Sequence, residues 1–162
     1  MAALLTISEQ NTIKAISSNN TGKFDDLLKE TLIKDIKPLL GFDMYQDIIQ
    51  NESSTANALL LSGGTYTYNS VTYEFEGLKT VIAYFLYANY IMSNLVDTFT
   101  GFVTKSNEDS QPASSGDKKN LRDQFREIAQ QHWEDCKHFI QANSSDYPYY
   151  LYRKSSNRII II

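Results

Sequence analysis

The segment from Leu78 to Val96 limits the fold more than any other part of this chain, because 14 of its 19 residues are apolar. That is long enough to raise the question of a membrane span. Its polar members, Lys79, Thr80, Asn89, Ser93 and Asn94, fall within about half a turn of a helical wheel. Such one-sidedness predicts a central helix buried on most of its surface, with no membrane partner. The rest of the chain must then cover it. At 162 residues a single domain is expected, able to bury roughly 70% of its unfolded surface. With 42% hydrophobic residues the chain is too apolar to be disordered.

The covering helices are readable from periodicity. Ser8 is a candidate N-cap for a short helix from Glu9 to about Ser17. Phe24, Leu27, Leu28, Leu32, Ile36, Leu39 and Leu40 form a 3.6-residue stripe, predicting a helix from about Lys23 to Leu40. Pro38 should kink or loosen its last turn, and Gly41 is a natural stop. Asp43 is placed to cap a further helix through about Gln50, and polar Asn51 to Asn57 reads as a loop. After a long polar connection, Asp97 to Gly116, Leu121, Phe125, Ile128, Ala129, Trp133, Cys136, Phe139 and Ile140 mark a last helix from about Asp117 to Gln141. Ser114 and Asp117 are its candidate caps.

One region has a different period. Thr65–Tyr68 and Val71–Phe75 alternate every two residues around Asn69-Ser70, which predicts a β-hairpin. A two-residue loop pairs Tyr68 with Val71, Thr67 with Thr72 and Tyr66 with Tyr73. Tyr66, Tyr68, Val71, Tyr73 and Phe75 then share one face, and Thr65, Thr67, Thr72 and Glu74 the other. Ser62-Gly63-Gly64 reads as the turn that leads in. An isolated hairpin is marginal in water, so this aromatic face must lie on the helices or on another subunit. Tyrosine, with 11 copies against 8 Phe and one Trp, suits surfaces that are buried only on assembly; a tyrosine-rich core is the other reading.

Chemistry is harder to find. A single cysteine, Cys136, excludes an internal disulfide framework or a multi-cysteine zinc site. His132 and Cys136 lie four apart on one helix face, but His138 points about 200° away, so one helix cannot unite the three; a core-edge histidine and a small buried thiol explain the pair. The adjacent carboxylates Asp25-Asp26 and Glu134-Asp135 point apart on a helix, as solvated residues do. No nucleophile elbow, P-loop, dinucleotide fingerprint or zincin motif is present. The expectation is a protein that is not an enzyme and needs no cofactor or metal. The start, Met1 to Ser8, lacks the basic residues of a signal peptide.

The net charge is −4, which argues against general nucleic-acid or anionic-membrane binding. From Tyr147 onward, however, there are three basic residues and no acidic one, so this end is +3 against −7 for the remainder. Tyr147, Tyr149, Tyr150 and Tyr152 interleave with Arg153, Lys154 and Arg158 before four terminal isoleucines, Ile159, Ile160, Ile161 and Ile162. Two readings stand: an extended strand that docks on an acidic neighbour, and a nucleic-acid contact in which bases stack on tyrosine. The division expected is a helical domain over residues 1–146, with its hairpin at about 64–76, and a docking tail over 147–162.

The order Gly64-Thr-Tyr-Thr-Tyr68, Tyr73-Glu-Phe-Glu-Gly-Leu-Lys79, Tyr84-Phe-Leu-Tyr-Ala-Asn-Tyr90 and Asp97-Thr-Phe-Thr-Gly-Phe-Val-Thr-Lys105, followed by Glu108, Ser110 and Pro112, resembles head–tail connector (adaptor, or neck ring) proteins of tailed bacteriophages, especially those of crAss-like phages. The resemblance runs from the helix at Lys23 to about Gln141, and the terminal tail lies outside it. It implies a small, mainly α subunit: a bundle of about four to five helices with one inserted β-hairpin, to which the residues add an extended C-terminal tail. It also implies a homo-oligomeric ring, commonly a dodecamer, bound to the portal protein and to tail or further neck proteins. Such rings have no catalytic activity. Packaged DNA passes through their channel, and they reside in the virion neck after assembly in the host cytoplasm. Strand-edge pairing and heterologous contacts make Tyr66, Tyr68, Tyr73, Phe75, Phe102, Lys105 and the tail from Tyr147 to Ile162 the candidate interface. Two alternatives from other classes are a nucleic-acid-binding accessory protein using the basic tail, and a small hydrolase with His132 or His138 beside an unrecognised nucleophile.

Overall fold

A computed structural model describes residues 4–16, 23–93 and 115–150. Its elements in order are α1 (Ile7–Ile13), α2 (Phe24–Thr31), a π turn (Leu32–Ile36), α3 (Lys37–Leu40), α4 (Phe42–Gln50), α5 (Thr55–Ser62), β1 (Gly64–Tyr68), β2 (Val71–Phe75), α6 (Leu78–Ser93) and α7 (Ser115–Ala142). Because α2, the π turn and α3 form one rod, there are six helical rods among the described residues, more than the four to five expected. The architecture is mainly helical with one two-stranded antiparallel hairpin.

The apolar segment builds the centre. On α6, Leu78, Val81, Ile82, Ala83, Phe85, Leu86 and Ala88 are fully or almost fully buried. Its main partner is α7, which lays Ala129, Trp133, Cys136, Phe139 and Ile140 into the same core. Leu121, expected on that stripe, is exposed instead. The α2 rod adds Phe24, Leu28, Leu32, Ile36 and Leu40. No helix among the described residues is long and apolar enough to cross a membrane.

Helix ends differ from expectation where local hydrogen bonding decides them. Thr6, not Ser8, caps α1: its hydroxyl accepts from the Glu9 N–H, and the Glu9 carboxylate accepts from the Thr6 N–H at 2.7 Å, a reciprocal capping box. The helix stops at Ile13 rather than Ser17. Ahead of it, Leu4 and Leu5 are fully buried and anchor this end of the chain. The rod from α2 to α3 runs to Leu40, and the wider turn at Leu32–Ile36, where the Lys37 N–H donates to Leu32 O, accommodates Pro38. No side chain caps α4, although Asp43 sits in its first turn. The loop expected over Asn51 to Asn57 shortens, because Ser54 caps α5 by accepting from the Asn57 N–H. Asn57 is buried, and its amide donates to Asp47 Oδ2 and to the Asn51 carbonyl, tying α4 to α5.

The hairpin leaves the helical body through a junction without side chains. Gly63 and Gly77 both have positive φ, +76° and +81°. A Cβ on Gly63 would lie 2.5 Å from the Phe75 carbonyl oxygen, and one on Gly77 would lie 2.6 Å from the Leu61 carbonyl and also strike Gly63 N. Only glycine fits at either place.

The expected division at residues 146 and 147 falls inside the body. Tyr147 is 4% exposed, and its ring meets Phe139 edge-on at 5.8 Å. Tyr150 is half-buried against Trp133 at 6.2 Å. Ser114, the connection from 97 and the tail beyond Tyr150 lie outside the described residues.

Candidate interaction surface

The hairpin forms in the expected register: Tyr68 opposite Val71, Thr67 opposite Thr72, Tyr66 opposite Tyr73 and Thr65 opposite Glu74. Asn69 and Ser70 both take positive φ, +50° and +65°. This left-handed pair is the turn geometry whose twist matches two flanking strands. With only two strands in the sheet, each strand has an outer edge without a ladder partner among the described residues.

The shared aromatic face divides into a base and a tip. At the base, Phe75 is 3% exposed and stacks on Phe139 with centroids 4.3 Å apart. Tyr66 meets Phe139 edge-on at 5.3 Å and stacks on Tyr73 at 5.4 Å. Burial, then the neighbouring Tyr73 and Asp135, raise the Tyr66 hydroxyl pKa. At the tip, Tyr68, Val71 and Tyr73 remain 43%, 50% and 43% exposed. The helical body thus covers half of the aromatic face and leaves the other half in water. Between the hairpin and α7 lies a groove of about 500 Å³ lined by Tyr66, Tyr68, Tyr73, Glu74, Asp135, His138 and Gln141. It combines tyrosine rings with two carboxylates, neither of which pairs with a lysine or arginine among the described residues.

Of the interface residues expected from the sequence, the groove unites Tyr66, Tyr68 and Tyr73. Phe75 and Tyr147 are corrected to residues of the chain's own core: Phe139 packs against both, and the Tyr147 hydroxyl donates to Ala56 O. Tyr149 is exposed. Phe102, Lys105, Tyr152, Arg153, Lys154, Arg158, Ile159, Ile160, Ile161 and Ile162 lie outside the described residues.

The residues weighed for chemistry are dispersed. His132 stacks on Tyr84 at 5.4 Å. Cys136 is fully buried, and burial, with a smaller contribution from Asp135, pushes its thiol up to about 12. His138 is exposed on the groove wall. No group of three or more metal-ligating side chains occurs among the described residues.

Sequence reasoning missed one buried ionic cluster. Asp35, in the π turn, has a side chain 2% exposed and accepts from Arg126 Nη2 at 2.7 Å and Asn89 Nδ2 at 2.8 Å. Asn89 also donates to Thr31 Oγ1, and the Arg126 guanidinium lies 5.0 Å over the Phe85 ring. This cluster joins the α2 rod, α6 and α7. It also missed a second exposed apolar pair, Ile33 and Phe42, beside which Lys37 Nζ sits 4.8 Å over the Phe42 ring.

No curated protein and no solved structure matches this chain. A family model described as "Family of unknown function (DUF6712)" matches residues 36–160, which takes in the α3–α7 body, the hairpin and most of the tail. Since that match spans well over half of the sequence, the chain belongs to the DUF6712 family.

Proposed function

We propose that this protein is a structural subunit of a tailed-phage virion, assembling as a ring between portal and tail that extends the DNA channel and offers a platform for tail proteins. The observation that carries this reading is the half-covered hairpin. Tyr68, Val71 and Tyr73 stand in water on a projection whose base is locked into the core. Exposed aromatic area of this kind is costly to a lone subunit and useful at an interface. Two strand edges without a ladder partner among the described residues add a second means of attachment. The resemblance of the motif order to that of connector proteins supports the same reading.

The test replaces Tyr68, Val71 and Tyr73 together by Ser in the full-length chain. Circular dichroism should remain that of the wild type, since all three side chains are exposed. Native mass spectrometry and cryo-EM of particles carrying the variant should show no ring at the portal vertex. A ring with wild-type occupancy would overturn the proposal. A truncation test must retain Tyr147 and Tyr150, which belong to the body, and begin at residue 151.

A further inference from the structure

The groove between the hairpin and α7 is acidic and aromatic. Trp133, which carries Tyr150, is inside the core. Asp135 and His138, which line the groove, follow Trp133 by two and five residues. At 3.6 residues per turn they lie about 160° and 140° around the helix from it. On α7, the Trp133 ring that Tyr150 meets and the groove residues Asp135 and His138 therefore point to different sides of the helix. Residues 151–162 contain Arg153, Lys154 and Arg158 with no acidic residue, followed by four isoleucines. Fully extended, they reach about 40 Å.

We infer that the groove of one subunit receives residues 151–162 of a neighbouring copy. The basic side chains meet Glu74 and Asp135, and the isoleucines cover Tyr68, Val71 and Tyr73. The tail and the groove are two different surfaces, so their pairing between copies is a heterologous contact, the kind from which closed rings are built. Charge complementarity sets the direction of docking and suppresses mispairing. This inference rests on the ring proposed above and names the contact that builds it.

Site-directed cross-linking tests it in full-length chains. One variant carries Gln141→Cys on the groove wall, and the other carries Ile160→Cys in the tail. Buried Cys136, its thiol raised to about 12, stays silent. Mild oxidation of the mixture should give a covalent dimer joining positions 141 and 160. Adding Glu74→Lys and Asp135→Lys to the groove variant should lower the yield by about tenfold or more. Adding Arg153→Glu, Lys154→Glu and Arg158→Glu to its partner should restore it. The inference is overturned if no dimer forms, if the yield ignores the reversals, or if a chain carrying both cysteines closes only on itself. A neck ring without the cross-link removes this contact and leaves the proposed function standing. The cross-link in a protein absent from the virion neck removes the function and leaves the contact.

Discussion

The Tyr147 hydroxyl donates to the backbone carbonyl of Ala56 at 2.6 Å, joining two residues 91 positions apart. This bond fastens the segment after α7 onto α5, and burial raises the hydroxyl pKa well above that of a free tyrosine. Tyr147→Phe keeps the ring against Phe139 and removes the hydroxyl's bond. It should cost about 1–2 kcal/mol in urea denaturation. Tyr147→Ala also empties the ring's site and should cost about 3–5 kcal/mol.

Gly63→Ala and Gly77→Ala should each destabilise the protein by about 2 kcal/mol or more, combining left-handed backbone strain with a backbone clash. Gly41→Ala separates the two effects. Its φ is +83°, but an added Cβ would meet nothing within 4 Å. It should cost less than either, about 1–3 kcal/mol, the backbone strain alone.

Glu9 predicts an acid response of the N-terminal helix. Partial burial raises its pKa, but hydrogen bonds from Lys79, at 2.6 Å, and from Thr6 outweigh that and hold it below the ordinary 4.5. A depressed folded value means that the group's stabilising contribution is present above the unfolded value and is lost as pH falls through the folded one. Amide exchange in α1 should therefore speed up as pH drops below about 4.5, after correction for intrinsic exchange rates. In Lys79→Met this acid-dependent increment should shrink.

Cys136 should behave as a reporter of global unfolding. A fully buried thiol raised to about 12 supplies almost no thiolate at neutral pH. Labelling by an aromatic disulfide reagent should be slow in buffer and complete at once in denaturant. Rapid labelling of the native protein would show that α7 opens away from the core.

Asp35→Ala should cost about 2–3 kcal/mol, because Arg126 loses its carboxylate partner and Asn89 keeps only Thr31 Oγ1 as an acceptor. A double-mutant cycle with Arg126→Ala should return a coupling of about 1–2 kcal/mol in chemical denaturation.

These residues also separate what the sequence discloses from what it hides. The hairpin register was readable because a two-residue turn and a period of two fix the same pairing independently. The burial of α6 was readable because its few polar residues cluster. The Thr6 cap was present in the sequence as Thr6-Ile-Ser-Glu9, a capping-box spacing that the choice of Ser8 overlooked. Helix α5 was hidden because Leu59, Leu60 and Leu61 are consecutive and show no helical stripe, while its first turn is polar. Asp35 and Tyr147 were beyond local reading. The partners that justify burying a carboxylate or a phenol sit on elements 54 to 91 residues away. The groove belongs to the same class, since its walls come from the hairpin and from α7.

The glycine pair at the hairpin's root has a mechanical consequence. A joint made of main chain against main chain has no rotamers to sample and no soft atoms to compress. Each strand of five residues is roughly 17 Å long, so a small tilt at the root would swing the far end by several ångströms. With the root seated this tightly, the tip is held near one height and bearing. Uniform reach of that kind is what the proposed ring would need for repeated units to meet around a circle without accumulating error.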